Sequence, residues 1–210
     1  MSDRLTTGLA GLDAQLAGGV PKGSVHLVLG EPMNAQEILC NHFAAGGSQV
    51  GGGTAYFVVD RTEAEVKAGI TAIGGRADRV HVLPLPYKGQ WAIPDMKPGL
   101  RYVVDNFSEV VLKAGFPTAL AQLKRLKQQA RAAGDNLFVC MISGFHTEAE
   151  LLQLRLWADG VMELGFDRQG FGLYPFLKMT KMRGVPESAR FLLFRETDRG
   201  LFMESTRRVF

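Results

Sequence analysis

Five short runs in this chain, Val25–Leu29, Ala55–Val59, Val80–Leu83, Tyr102–Val104 and Leu137–Ile142, are almost continuously apolar instead of alternating with polar residues. Such a strand has both faces buried, a condition met in a parallel sheet covered by helices. Helical patterns separate the runs, over Asn34–Ala45, Thr62–Ile73 and Pro117–Ala133. Thr62 and Glu65 have the spacing of a capping box, and Pro117 suits a first helical turn. Strand and helix in alternation imply right-handed crossovers, hence an α/β fold with a mostly parallel central sheet and helices on both faces. Beyond residue 159 the pattern changes. Gly160–Leu164, Leu173–Lys181, Phe191–Arg195 and Leu201–Glu204 are short strands joined by Gln169-Gly170, Gly184-Val185-Pro186 and Asp198-Arg199-Gly200. These turn signals predict an antiparallel extension of the same sheet. The glycine-rich Gly46–Gly53 and the proline-rich Pro84–Gly99 read as loops.

With 210 residues and no linker, repeat or low-complexity tail, the chain reads as a single domain over residues 1–210. The formal charge of +3 implies neither nucleic acid nor an acidic membrane as partner. No apolar run approaches the ~20 residues that span a bilayer. The polar N-terminus, Met-Ser-Asp-Arg, lacks the apolar stretch of a secretory signal, so the expected location is the cytoplasm. Cys40 and Cys140 lie far apart with no C-x-x-C spacing, which reads as two small buried residues in a reducing compartment and not as a zinc or redox motif. His26, His42, His81 and His146 show no metal-ligand spacing and read as structural.

Chemistry is expected where the first buried strand meets the first long helix, V-H-L-V-L-G-E-P-M-N-A-Q-E over residues 25–37. A P-loop at such a junction reads G-x-x-x-x-G-K-[ST]; its backbone amides cradle phosphates, its lysine reaches the β and γ phosphates, and its hydroxyl holds magnesium. Gly30 stands at the first position, followed by Glu31 and Pro32, but Ala35, Gln36 and Glu37 replace Gly-Lys-Ser/Thr. A carboxylate ~4 Å from a phosphate charge costs about 4 kcal/mol at an effective dielectric near 20. Glu37 alternatively reads as an acidic first-turn residue complementing the helix dipole.

The ordered motifs resemble one family. T-T-G-L-A-G-L-D-A-Q-L-A-G-G-V-P-K-G-S over Thr6–Ser24 is similar to the segment that leads into the P-loop strand of KaiC-like members of the RecA superfamily. Tyr56–Gly74 is similar to the strand and helix carrying that family's paired glutamates, and Tyr102–Glu109 to its Walker B strand. Ala158-Asp159-Gly160-Val161, Lys181-Met182-Arg183-Gly184 and Thr197-Asp198-Arg199-Gly200 look like its C-terminal signatures. The resemblance covers nearly the whole chain and implies a RecA-like P-loop NTPase core. It further implies ATP held between neighbouring subunits, with Lys and Arg of the K-x-R-G segment acting in trans. By correspondence the paired glutamates fall on Asp60 and Arg61, the second reversed in charge. Asp105 takes the Walker B position, a relic metal ligand or a hydrogen-bonded strand-end aspartate. Lys181 and Arg183 match the trans-acting pair, which could meet a neighbour's Glu37 or Asp60, or form a solvated edge-strand pair.

The expectation is therefore a non-catalytic KaiC/RecA-like protein with a degenerate nucleotide site. It would act as a regulatory or assembly partner, as a homo-oligomer or with a paralogous RecA-like ATPase subunit. No cofactor is expected; ATP and magnesium enter only if the degenerate loop still binds them. The alternative is a residual ATP-binding protein or weak ATPase in signalling or DNA recombination, using Asp60 and Asp105, and a further one is another small ligand in the emptied cleft. Lys124, Arg125, Lys127 and Arg131 on the Pro117–Ala133 helix raise nucleic-acid binding, although without interleaved aromatics they read as a solvated face.

Overall fold

Strand β3 (Val25–Gly30) is buried at every residue. Val25, Leu27 and Leu29 enter one apolar cluster and Val28 enters the other, as a strand between two helical layers must. The computed structural model describes residues 3–31, 34–49, 52–169, 172–185 and 190–204. In it β3 pairs in parallel with β7 (Leu137–Ile142) and with β8 (Gly160–Gln169). Beyond β7 the parallel sheet continues through β6 (Arg101–Asp105) and β4 (Thr54–Val58) to β5 (Val80–Pro84). Beyond β8 it runs antiparallel through β9 (Gly172–Met182), β10 (Arg190–Thr197) and β11 (Gly200–Met203), giving the order β11-β10-β9-β8-β3-β7-β6-β4-β5. The mostly parallel sheet and its antiparallel extension are those expected. A separate ribbon joins β1 (Arg4–Leu5) to β2 (Val20–Pro21).

Helices α1 (Ala10–Gln15), α2 (Asn34–Gln49) and α3 (Glu63–Ala72) contribute Leu12, Leu39, Phe43, Val66 and Ile70 to the apolar cluster on one face. Helices α4 (Phe107–Ala114), α5 (Phe116–Ala133) and α6 (Glu148–Trp157) contribute Val110, Leu123, Leu126 and Leu154 to the other. The Thr62–Glu65 capping box forms, and Pro117 lies in the first turn of α5. Helices α2, α4 and α6 are among the elements that depart from expectation. Helix α2 runs four residues past Ala45 into the glycine-rich stretch, because Gly46 and Gly47 lie against the Arg101 side chain where a Cβ would not fit. Helix α4 starts within the stretch that reads as a strand continuation, with the Asn106 side chain accepting from the Ser108 N–H (2.8 Å). Helix α6 carries an unrecognised capping box of its own, Thr147 with Glu150. The Gln169-Gly170 turn and Pro186 fall partly or wholly outside the described residues.

The Pro84–Gly99 loop is an ordered cover, burying Leu85, Ile93 and Met96. Gln122 accepts from the Ile93 N–H (2.8 Å) and donates to the Trp91 carbonyl (3.0 Å), while Gln129 accepts from the Met96 N–H (3.0 Å). The opening segment is held by Asp13, whose carboxylate accepts from the Thr7 N–H (2.7 Å), the Thr7 hydroxyl (2.7 Å) and the Thr6 hydroxyl. Gly8 sits at φ +84° against the His42 carbonyl, where any side chain would overlap. Buried Arg101 closes the junction, donating to the carbonyls of Thr6 (2.6 Å) and Phe43 (3.0 Å).

His42 and His26 are structural. His42 Nε2 accepts from the Leu201 N–H (3.1 Å) and so joins α2 to β11. His26 is fully buried in β3, with Nε2 2.6 Å from the Ser24 hydroxyl. Burial, opposed by Asp159, lowers its pKa from 6.5 to about 4. The unfolded chain takes up this proton near pH 6.5 and the folded chain only near 4, so stability is complete above that window and falls as pH drops through it. Urea titrations should show about 2 kcal/mol lost from this group at roughly pH 5. The His26→Gln chain should show a shallower dependence between neutral pH and that point.

Candidate functional site

The parallel strands end together on the side where α2 begins. Gly30 closes β3, its carbonyl accepting from the Ser143 N–H beyond β7 (2.8 Å). Glu31 is exposed, Pro32 lies outside the described residues, and Ala35 is buried in the first turn of α2. Gln36, also buried, turns back onto the sheet. Its amide nitrogen donates to the carbonyls of Met141 (2.8 Å) and Val28 (3.3 Å), and its side chain packs against Gly30, where a Cβ would crowd it. At the position where a P-loop lysine would reach outward, this side chain satisfies strand carbonyls instead.

Next to it, three elements converge on one guanidinium. Arg61, following β4, places Nη1 2.5 Å from Glu37 Oε1 on α2 and Nη2 2.5 Å from Asp105 Oδ2 at the end of β6. Nη2 also donates to the Tyr56 hydroxyl (2.8 Å), and the guanidinium lies 5.6 Å from the centre of the Tyr56 ring. The Arg61 and Asp105 side chains are 13% and 16% exposed, so this is a largely desolvated group. Burial raises the Glu37 and Asp105 carboxyl pKa values, and Arg61 opposes the rise. Burial works against the Arg61 charge, but Tyr56, Asp105 and Glu37 outweigh it and hold the guanidinium protonated. Asp60, exposed beyond β4, adds a like charge that raises both carboxyls further. The structure thus brings together Gly30, Gln36, Glu37, Arg61 and Asp105, with Asp60 at the rim. Sequence reasoning treats Arg61 only as a lost glutamate. The available signal was compensation: a carboxylate appears at position 37 and a cation at position 61.

Behind Asp105, the Ser108 hydroxyl accepts from the Ile142 N–H (3.0 Å) and is hydrogen-bonded to His146 Nε2 (2.8 Å). Ser108 is fully buried, and the pair joins α4, β7 and the following loop. No spacing in the sequence reveals it.

Lys181 and Arg183 lie at the opposite end of the sheet, where Val161 pairs with Lys181 and His26 with Gly160. Lys181 Nζ donates to the carbonyls of Arg155 (2.8 Å) and Leu156 (3.1 Å), closing the C-terminus of α6. Arg183 Nη1 stands 3.6 Å from Asp159 and the side chain is half exposed. Within one chain neither residue meets Glu37, which Arg61 occupies, nor Asp60. Asp159 is the hub here: its carboxylate accepts from the Val25 N–H (3.2 Å) and pairs with Lys127 (2.8 Å) and Arg131 (3.3 Å).

That hub alters the reading of α5. Lys127 is buried and also donates to the Trp157 carbonyl (2.5 Å), Arg125 pairs with Asp95, and Lys124 lies 4.5 Å from the centre of the Trp157 ring. The face expected to be solvated instead fastens α5 to the Pro84–Gly99 loop, the end of α6 and Asp159.

Removing the guanidinium leaves two partly buried carboxylates facing each other. Arg61→Met should therefore destabilise the fold by about 3 kcal/mol in chemical denaturation at neutral pH. The triple change Arg61→Met, Glu37→Gln and Asp105→Asn should recover most of that loss, because no unpaired charge remains.

Comparisons with known proteins agree with this architecture. A UPF0273 protein of Thermotoga maritima is 26% identical over 238 aligned positions, covering 96% of this chain and 96% of that protein. A UPF0273 protein of Pyrococcus horikoshii is 23% identical, covering 97% and 94%. The crystal structure of a KaiC-like protein from Pyrococcus horikoshii superposes with a TM-score of 0.75 at 15% identity, covering 96% of this chain and 99% of that one. That likeness establishes the fold as KaiC/RecA-like. A family model described as a family of unknown function (DUF7125) matches residues 4–192, and the chain belongs to that family.

Proposed function

We propose that this chain is a non-catalytic KaiC/RecA-like protein whose nucleotide site is closed from within, and that it acts as an assembly or regulatory partner, with itself or with a RecA-like ATPase. One observation carries the reading: Arg61 joins Glu37 and Asp105 by 2.5 Å ion pairs at the place where the resemblance would put magnesium. The residues do not fit that ion. A divalent cation between the carboxylates would have to displace a guanidinium already paired with both. Gln36 adds to this, since its amide is committed to the carbonyls of Val28 and Met141. Asp60 alone, exposed at the rim, supplies no means of positioning a nucleotide. The intrachain partners of Lys124, Arg125, Lys127 and Arg131 likewise speak against a nucleic-acid face on α5.

Calorimetric titration of the purified chain with Mg-ATP is the direct test. The expected result is no binding up to about 1 mM, equivalent to an affinity weaker than about −4 kcal/mol. A micromolar dissociation constant would overturn the closed-site reading and favour the residual ATPase.

Support for an assembly role comes from the antiparallel extension. One face of β9, β10 and β11 sends Leu177, Met179, Leu192, Phe194 and Leu201 into the core. The opposite face carries Tyr174 (45% exposed), Phe191 (40%) and Phe202 (57%), with the Phe176 and Phe191 rings stacked at 4.6 Å. These exposed rings, interleaved with exposed Lys178 and Arg195, support a contact site on this face. Light scattering should find an assembly that Phe202→Glu and Phe191→Glu together reduce to smaller species, with the melting temperature little changed. A monomeric parent chain would remove self-assembly and leave the hetero-partner form of the proposal.

A further inference from the structure

Cys40, on α2, and Cys140, on β7, are 100 residues apart in sequence, yet their sulfur atoms stand 2.7 Å apart. That is closer than the ~3.5–4.0 Å at which non-bonded heavy atoms rest, and approaches the ~2.05 Å of a disulfide bond. Both residues are buried, in the same apolar cluster, and each sulfur has the other as its hydrogen-bonding partner. Neither sulfur is open to a cysteine of another chain. The expectation of two inert buried thiols holds for burial but misses the contact, because nothing in the sequence aligns α2 with β7 at these positions.

We propose that Cys40 and Cys140 form an oxidation site, joined by peroxide into an intramolecular disulfide that fastens α2 to β7. One sulfur attacks the peroxide O–O bond, giving a sulfenic acid and releasing water. The second sulfur displaces the sulfenic oxygen, which leaves as another water once it takes up the remaining thiol proton. Two thiols and one hydrogen peroxide thus give one disulfide and two waters. Peroxide is small enough to enter where a protein or glutathione disulfide is not, and burial in turn shields the closed bond from thiol reductants. Hydrogen bonding from Cys40 and burial both push the Cys140 thiol up, which keeps its thiolate scarce and makes the attack on peroxide slow at neutral pH. The link lies beside the candidate site. Cys40 is one turn beyond Gln36 on α2, and Cys140 immediately precedes Met141, whose carbonyl accepts from Gln36. Oxidation would therefore fix the start of α2 against the sheet.

The test uses the full chain, reduced and then exposed to hydrogen peroxide, quenched, and unfolded in the presence of N-ethylmaleimide. The expected product is a monomer lighter by two hydrogens that takes up no maleimide, with a single linked peptide pair containing Cys40 and Cys140. Its melting temperature should rise by about 5–15 °C over the reduced chain, since closing so long a loop restricts the unfolded state. Cys40→Ala and Cys140→Ala should each abolish the rise and take up one maleimide. Two maleimides on the peroxide-treated parent, sulfinic acids on both cysteines, or only intermolecular dimers on a non-reducing gel would each overturn the proposal. The mass measurement on the parent chain stands even if an alanine variant does not fold.

Discussion

A single guanidinium at the C-terminal edge of the sheet sets the character of this molecule. Arg61 receives one carboxylate from α2 and another from the end of β6, together with the Tyr56 hydroxyl. None of the three acidic or basic groups would be tolerable there alone, since a desolvated charge without a partner is costly. Together they place the guanidinium between the two carboxylates and connect two strands and a helix at this edge of the sheet. On the proposed reading, these side chains stand where a nucleotide and its metal would otherwise be held.

The motifs that carry the family resemblance prove to be largely architectural. Thr6, Thr7 and Asp13 form one hydrogen-bonded group that shapes the opening segment. Asp159 organises the far end of the sheet, and Gly160 follows it because a Cβ there would strike His26. Lys181 closes α6, and Gly200 passes the His42 ring where no side chain fits. These positions explain why the sequence carries those signatures from Thr6 to Gly200. The contacts they make here are packing and backbone hydrogen bonding.

The parallel core was legible because its strands are buried on both faces, and the extension because glycine-bearing turns punctuate it. Helix α6 was equally legible in principle, since Thr147 and Glu150 repeat the signal read correctly at Thr62 and Glu65. The contacts among residues remote in sequence were not. The bridging role of Arg61, the Ser108–His146 pair, the approach of Cys40 to Cys140 and the partners of the α5 cations all depend on how crossovers align separate elements. Local pattern fixes which face of an element is apolar; it does not fix which polar side chains meet at the ends.

The carboxamide of Gln36 and the charges around Arg61 also limit which substitutions this corner of the fold tolerates. A lysine at 36 or an acid at 61 could not be introduced singly without cost. Changing Arg61 to an acid sets it beside Glu37 and Asp105, while changing Gln36 leaves the Val28 and Met141 carbonyls without their donor. Each of these single variants should be less stable than the present chain. Internal pairing thus makes each polar side chain at this corner a condition for its neighbours: a single change at 36 or 61 strands a carbonyl or a charge.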